Sequence, residues 1–305
     1  MVEGLETKLD FERMFTREEL DTIGDRWLIK WRGSQTLRYG IYLDLVRNVL
    51  VTESTARFLD IGCAQSNLLI LLNQEYRFIQ YYGTDISENV ISWNQKQYPF
   101  VRYEQCALPE VGFPSNRFDF ISALEVVYYL GEQQRLQSLQ NMSAALKPGG
   151  YMLISGGLDG GRSYFAEDWI VQTVAGILSI ERVEYNYARC YSWLERWFLR
   201  AHRVFNTACQ LIDLPESEFQ KRLAMREGWR KRIAPILRLS TLRPVVRTVT
   251  QLSLRLLRAV LGWVWLPRIC SKMTRWLMGN NGKSHIIILA RKEQLTKLLS
   301  EEGIE

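Results

Sequence analysis

Between residues 56 and 157, short apolar runs alternate with helix-patterned stretches, and this alternation restricts the chain more than any other feature. A strand near 56–60 precedes a helix from Ser66 to about residue 74. The strand FIQYYGTDI (78–86) leads to Ser87, an N-cap type, with Glu88 in the first turn of a helix over 88–97. A short strand at 100–104 comes before the loop QCALPEVGFPSNR, and FDFISALEV (118–126) reads as a buried central strand. The spacing predicts a helix over 132–146 that KPGG ends as a glycine-type cap with proline as breaker, then the strand YMLISGG (151–157). Such a succession predicts a parallel sheet with helices on both faces. Ligands in these sheets sit beyond the carboxyl ends of the strands. Asp60, Asp85 and Glu125 all fall at predicted strand ends.

The turn after the first strand, FLDIGCAQSN (58–67), narrows the ligand. A phosphate-cradling loop would carry a lysine, and Asp60 would repel an anion, so a cationic or hydroxyl-rich ligand fits better, approached by backbone at Gly62 and Ala64. Asp85, 25 residues after Asp60, can accept two hydrogen bonds from ribose hydroxyls. A dinucleotide fingerprint wants three glycines where Gly62-Cys63-Ala64-Gln65-Ser66-Asn67 has one.

These motifs resemble those of the class I S-adenosylmethionine-dependent methyltransferases over about 56–157, with SHIIILARK (284–292) as the expected last strand. The resemblance implies a Rossmann-like α/β fold: a mostly parallel seven-stranded sheet, helices on both faces, and here a helical insertion before a final antiparallel strand. It implies that Asp60, Gly62, Cys63 and Ala64 hold the amino-acid end of S-adenosyl-L-methionine, with alanine at 64 where the family usually has glycine. It also places Asp85 on the ribose, Ile86 beside the adenine, and Cys106, Ala107 and Leu108 in the adenine loop. Leu124, Glu125 and Tyr129 then complete the cofactor site. Within the family, EVVYYL (125–130) and DRWLIKWRGSQTLRYG (25–40) are similar to the nodulation protein S group of N-methyltransferases, which act on an amino sugar.

Methyl transfer from a sulfonium is an in-line displacement, so the protein chiefly aligns the two partners and excludes water. A neutral amine needs no base, whereas an oxygen nucleophile gains from one. Glu125 and Tyr128 are the candidate catalytic residues, and His202 could reach in from the insertion. The bland readings stand beside these: Asp60 as a helix cap, Glu125 as a structural partner, Tyr128 and Tyr129 as pocket wall. Likewise Cys63 and Cys106 read as apolar fillers, both histidines as incidental, and Trp27 and Trp31 as either core residues or a lid.

Beyond residue 160 the alternation weakens to a helix around 164–178 and a strand around 180–188, and residues 192–278 read as helical and basic. From Lys221 to Arg275 there are fourteen Lys or Arg and one acid, Glu227, in a chain of net charge +6. On a helical wheel of 242–265, Val245, Val249, Leu252, Leu256 and Val260 share a sector of about 80°, while Arg243, Arg247, Arg255 and Arg258 share a separate one of about 120°. Three readings are open: a cap whose apolar face roofs the cleft, an anionic membrane surface as partner, and, third in order, nucleic acid. The expected division is 1–55 for N-terminal lid helices, 56–191 for the methyltransferase core, 192–280 for the insertion, and 281–305 for the last strand and a C-terminal helix. Five cysteines without CxxC spacing and two histidines assemble no familiar metal set, and the acidic N-terminus has no apolar signal core. A cytoplasmic location, or a peripheral one on a membrane, is expected. The expected function is methyl transfer to N or O of a small-molecule, amino-sugar or lipid-like acceptor. A silent scaffold at a membrane and an NAD-dependent oxidoreductase are the alternatives.

Overall fold

A computed structural model describes residues 12, 15, 16, 20, 32–50, 55–224 and 243–293. Its first described helix is α1 (Gly33–Arg47). Then strands and helices alternate: β1 (Arg57–Ile61), α2 (Asn67–Glu75), β2 (Gln80–Asp85), α3 (Glu88–Gln97), β3 (Val101–Gln105) and β4 (Phe118–Leu124). After a short 3-10 turn at Val127–Tyr129 come α4 (Glu132–Ala145), β5 (Leu146–Gly157), α5 (Glu167–Ala175) and β6 (Ser179–Asn186). Four described helices follow, α6 (Arg189–Asp213), α7 (Glu216–Ala224), α8 (Arg243–Gly262) and α9 (Trp265–Met278), before β7 (His285–Arg291).

The seven strands form one sheet in the order β3-β2-β1-β4-β5-β7-β6. The first five run parallel, and β7 is antiparallel to both of its neighbours. This is the mostly parallel sheet expected from the sequence. It is buried on both faces because the strands alternate between two cores. Phe58, Phe120, Leu153 and Ile287 pack with Leu68 and Leu72 of α2 and Leu45 and Val46 of α1. Leu59, Ile121, Ile154 and Ile288 pack on the other side with Leu139 and Met142 of α4 and Ile170 and Val174 of α5. Each such side chain contributes roughly 1.5–3 kcal/mol by leaving water.

Of two local expectations, one holds and one does not. Ser87 caps α3 as expected, its Oγ accepting from the Val90 N–H at 3.3 Å. KPGG, however, does not cap α4: the chain turns extended at Leu146 itself, and the motif lies inside β5. Gly149, at φ +80°, instead kinks the strand where its pairing with β4 skips from Phe118 to Phe120. A glycine-type strand irregularity uses a left-handed residue just as a helix end does, and local sequence does not separate the two. Trp27, Trp31 and the expected C-terminal helix lie outside the described residues.

Candidate active site

The parallel strands end together, so residues far apart in sequence meet at one edge of the sheet. There they line a cleft of about 650 Å³. Every residue named above for cofactor or catalysis in the predicted core borders it: Asp60, Gly62, Cys63, Ala64, Asp85 and Ile86 from the first two strand ends, Cys106, Ala107 and Leu108 after β3, and Leu124, Glu125, Tyr128 and Tyr129 after β4.

At the β1 end, Asp60 is buried and pairs across the sheet with Ser122, whose Oγ donates to Asp60 Oδ1 at 2.6 Å. Burial pushes the Asp60 carboxyl up to about 7 against that hydrogen bond, with the negative charge of Asp85 adding to the rise. Asp85 ends β2 and organises the loop. Its Oδ2 accepts from the Ala64 N–H and its Oδ1 from the Ser87 N–H, both at 3.0 Å. Burial raises it to about 6 in spite of those bonds. The Ile86 backbone also favours the ionised form; a carboxylate offers about four acceptor sites, so acceptor capacity remains for a ribose hydroxyl.

The loop itself is backbone-shaped. Gly62 sits at φ +67°, and a Cβ there would stand 2.0 Å from Val126 Cγ2. Ala64 and Ser66 also occupy the left-handed region, at φ +42° and +57°, a conformation that costs an L-residue about 1–2 kcal/mol. The fully buried Asn94 of α3 holds the loop by donating from Nδ2 to the Ala64 carbonyl at 2.6 Å. Ser66 does not cap α2 with its side chain; its hydroxyl pairs with the Tyr103 hydroxyl at 2.7 Å.

The other end of the cleft is a charged cluster. Glu125, at φ +59°, accepts from Ser155 Oγ at 3.0 Å and lies 3.3 Å from Arg38 Nη1. Ser155 in turn pairs with the Tyr42 hydroxyl at 2.7 Å. Burial by itself would raise the Glu125 carboxyl, but Arg38 and the hydroxyls hold it below the usual carboxylate range, with His285 adding to the lowering only when protonated. His285 Nε2 lies 3.7 Å from Glu125 Oε2. Burial keeps this imidazole below its ordinary value against the pull of Glu125, and Arg38 adds to the lowering. Burial drives the Tyr128 phenol upward, so Tyr128 can orient a substrate but cannot deprotonate one. Its ring packs against Tyr129 and Tyr164 at centroid distances of 4.6 and 4.9 Å, forming an aromatic wall.

The insertion covers the cleft through α6, which contributes Ser192, Glu195, Arg196 and Leu199 to its lining. Glu195 is buried and clamps α6 to the start of α1. It accepts from Arg32 Nε at 3.1 Å and Nη2 at 2.7 Å, and from Ser34 Oγ at 2.5 Å.

Two expectations for the insertion are corrected. His202 does not reach the cleft; it is buried where α6 meets α8, with Arg258 Nε 3.3 Å from its Nε2. Nor does the apolar stripe of 242–265 roof the cleft, since Leu252 and Leu256 are 56% and 59% exposed. The buried residues of α8 are Thr250, Leu254 and Leu261. These lie at about 140–180° from Val245 on the wheel, against the basic sector and opposite the apolar stripe, so the helix docks by the edge of its basic side, where Arg243 and Arg258 reach α6.

Arg38, Asn94, Ser155, Glu195 and His285 carry no motif that marks them as site residues. A usable signal existed for His285 alone. An antiparallel strand in a parallel sheet begins where the others end, so its first residue faces the ligand edge, and His285 pairs with Gly157.

A sequence model of the family described as methyltransferase domain matches residues 35–211, more than half of the chain. Among curated proteins, the tRNA N(3)-methylcytidine methyltransferase of Schizosaccharomyces pombe is 25% identical over 166 residues, covering 51% of this chain. The chain spans 61% of the length of that relative. A solved structure from Galdieria sulphuraria, described as a sarcosine dimethylglycine methyltransferase, superposes with a TM-score of 0.50 at 13% identity, covering 85% of this chain and 86% of that one. It shows the same fold. The N-methyltransferase NodS of Bradyrhizobium japonicum, solved with S-adenosyl-L-homocysteine, gives a TM-score of 0.44 at 18% identity over 55% of this chain and 87% of its own.

Proposed function

The chain belongs to the methyltransferase-domain family, with S-adenosylmethionine as its cofactor, and from that premise we propose that it methylates an amine of a small or lipid-like acceptor. The observation that carries this reading is the convergence of three strand-end carboxylates, Asp60, Asp85 and Glu125, on one cleft. Residues and cofactor fit. Two acidic groups suit a cationic amino-acid end and a ribose diol, and the side-chain-free Gly62 lets the backbone approach closely.

When bound, S-adenosylmethionine supplies an electrophilic methyl group on a sulfonium. The chain supplies the rest. Ser284 Oγ lies 2.9 Å from the Asn186 carbonyl, which only accepts, so its proton goes there. His285 Nδ1, 3.0 Å from the same hydroxyl, then carries the hydrogen, and the Nε2 lone pair faces Glu125. Two acceptors 3.7 Å apart cannot bond each other. They suit a group with two N–H donors, one for each. Glu125 is too acidic to act as a base, so it orients the amine, and the neutral His285 takes a proton from it. Tyr128, Tyr129 and Tyr164 line the site with aromatic surface.

Calorimetry with S-adenosylhomocysteine and with NAD, followed by labelled methyl transfer to amine and hydroxyl acceptors, tests the reading. Binding of S-adenosylhomocysteine and label on amines supports it. Binding of NAD alone turns the site to redox chemistry, and binding without any transfer turns it to a scaffold. The tRNA-modifying relative favours a second reading, and label appearing on RNA would establish it.

A further inference from the structure

The outer faces of α6, α8 and α9 carry a pattern that the cleft does not use. On α6, Trp193, Trp197 and Val204 are exposed and fall within about 40° of one another on the wheel, with Arg196, Arg200 and Arg203 in the adjoining sector. The pattern recurs on α9, where Trp265, Ile269, Met273 and Trp276 stand beside Arg268, Lys272 and Arg275. On α8 the outward residues are Val245, Val249, Leu252 and Leu256, with the arginines on a separate sector. Together α8 and α9 hold seven basic residues and no acid. Trp193 and Trp197 form an edge-on pair at 6.1 Å, and Trp263 and Trp265 stack at 5.4 Å between α8 and α9.

We propose that these three helices form one docking surface for an anionic lipid bilayer. Exposed apolar surface on this scale needs an occupant, and its chemistry selects one. Apolar side chains enter the headgroup boundary, tryptophans sit at its level, and the basic rows alongside on α6 and α9, with Arg255 flanking the stripe of α8, meet anionic headgroups. A nucleic-acid surface would use the basic rows and leave the apolar stripes in water. Polar contacts fix the helices against one another. Arg243 Nη2 donates to the Ile212 carbonyl at 3.0 Å, and Arg258 meets His202, so α8 runs antiparallel along α6. The surface also adjoins the cleft. Ser192 and Arg196 line the cleft, while Trp193 and Trp197, next to them in the chain, point outward. An amphiphilic acceptor therefore has a short path from bilayer to cleft, a consequence that rests on the methyl-transfer reading.

Co-sedimentation of the full chain with phosphatidylcholine vesicles, with and without phosphatidylglycerol, tests the proposal. Two variants are compared: Leu252→Ser, Leu256→Ser, Trp276→Ser and, separately, Arg255→Glu, Arg268→Glu, Lys272→Glu. Arg258 is left intact because it meets His202. The expected result is binding that requires the anionic lipid and falls by at least about tenfold in each variant. S-adenosylhomocysteine affinity should be unchanged in both, which certifies their folding and reports separately on the methyltransferase reading. The proposal is overturned if the parent protein binds no vesicles or binds neutral ones equally, or if either variant keeps full binding. It is also overturned if light scattering shows a dimer that the apolar variant converts to a monomer, since a second copy then covers the face. Salt-sensitive RNA binding lost only on charge reversal would overturn it as well.

Discussion

Asp60 is an acid whose folded environment prefers the proton, and this gives the free protein a testable pH dependence. A carboxyl raised from 3.8 to about 7 contributes stability that is full below about pH 4 and is lost as pH rises through about 7. Asp85, raised to about 6, acts in the same direction. Asp60→Asn, which keeps an acceptor for Ser122, should raise the melting temperature above pH 7 and leave it unchanged near pH 4; thermal denaturation across that range decides. A cationic ligand favours ionised Asp60, so its binding should release protons, visible in calorimetry as a dependence on buffer ionisation enthalpy. His285 makes a second residue-scale prediction. As a base with a lowered pKa it should give a kcat that rises with pH below its ordinary value of 6.5 and stays flat above. His285→Gln should remove that limb and lower kcat by roughly 10²-fold or more, with S-adenosylhomocysteine affinity intact. An unchanged profile would leave His285 with a packing role.

The loop between β1 and α2 is where conformational strain and ligand access meet. Gly62→Ala would place a methyl group against Val126 in a left-handed conformation. The combined strain and overpacking should cost about 2–5 kcal/mol. Ala64→Gly should do the reverse of an ordinary alanine-to-glycine change. Relief of about 1–2 kcal/mol of left-handed strain matches or exceeds the 0.4–1 kcal/mol or so of added unfolded-state entropy, so stability should hold or rise by up to about 1.6 kcal/mol. Chemical denaturation of the two variants checks both signs. A loss on Ala64→Gly would mean that the alanine methyl packs against something the strain argument ignores.

At the scale of the molecule, the helical insertion and the sheet are joined at the cleft by Glu195, which receives Arg32 and Ser34 from the start of α1. Gly33 reinforces the joint. Any Cβ there would stand 2.3 Å from the Trp263 carbonyl oxygen, so the turn between α8 and α9 rests directly on α1. Glu195→Ala removes the carboxylate that accepts from Arg32 and Ser34 and should cost about 1.5–3 kcal/mol. The loss should be local: faster amide exchange in 189–213 and faster release of S-adenosylhomocysteine, with exchange in β1, β4 and β5 unaltered. Equal acceleration in the central strands would show that the clamp supports the whole fold and not the roof.

The sheet was legible in the sequence because its strands are buried on both faces and its helices on one, so periodicity and strand-end acids carry the information locally. The cofactor end of the cleft was legible for the same reason: Asp60, Gly62 and Asp85 each sit next to the strand that positions them. At the opposite end only Glu125, Tyr128 and Tyr129, next to the end of β4, were legible. Arg38, Ser155 and His285 come from α1, β5 and β7 and acquire meaning only when the sheet order places β4, β5 and β7 side by side. The insertion shows the limit most clearly. A helical wheel locates apolar and basic sectors on 242–265, but which sector turns inward depends on what surface α6 offers. Here α6 takes the sector of Thr250, Leu254 and Leu261, leaving the most apolar stripe exposed. Amphipathicity is a property of one helix, whereas burial is a property of a pair, and only the tertiary structure supplies the second member.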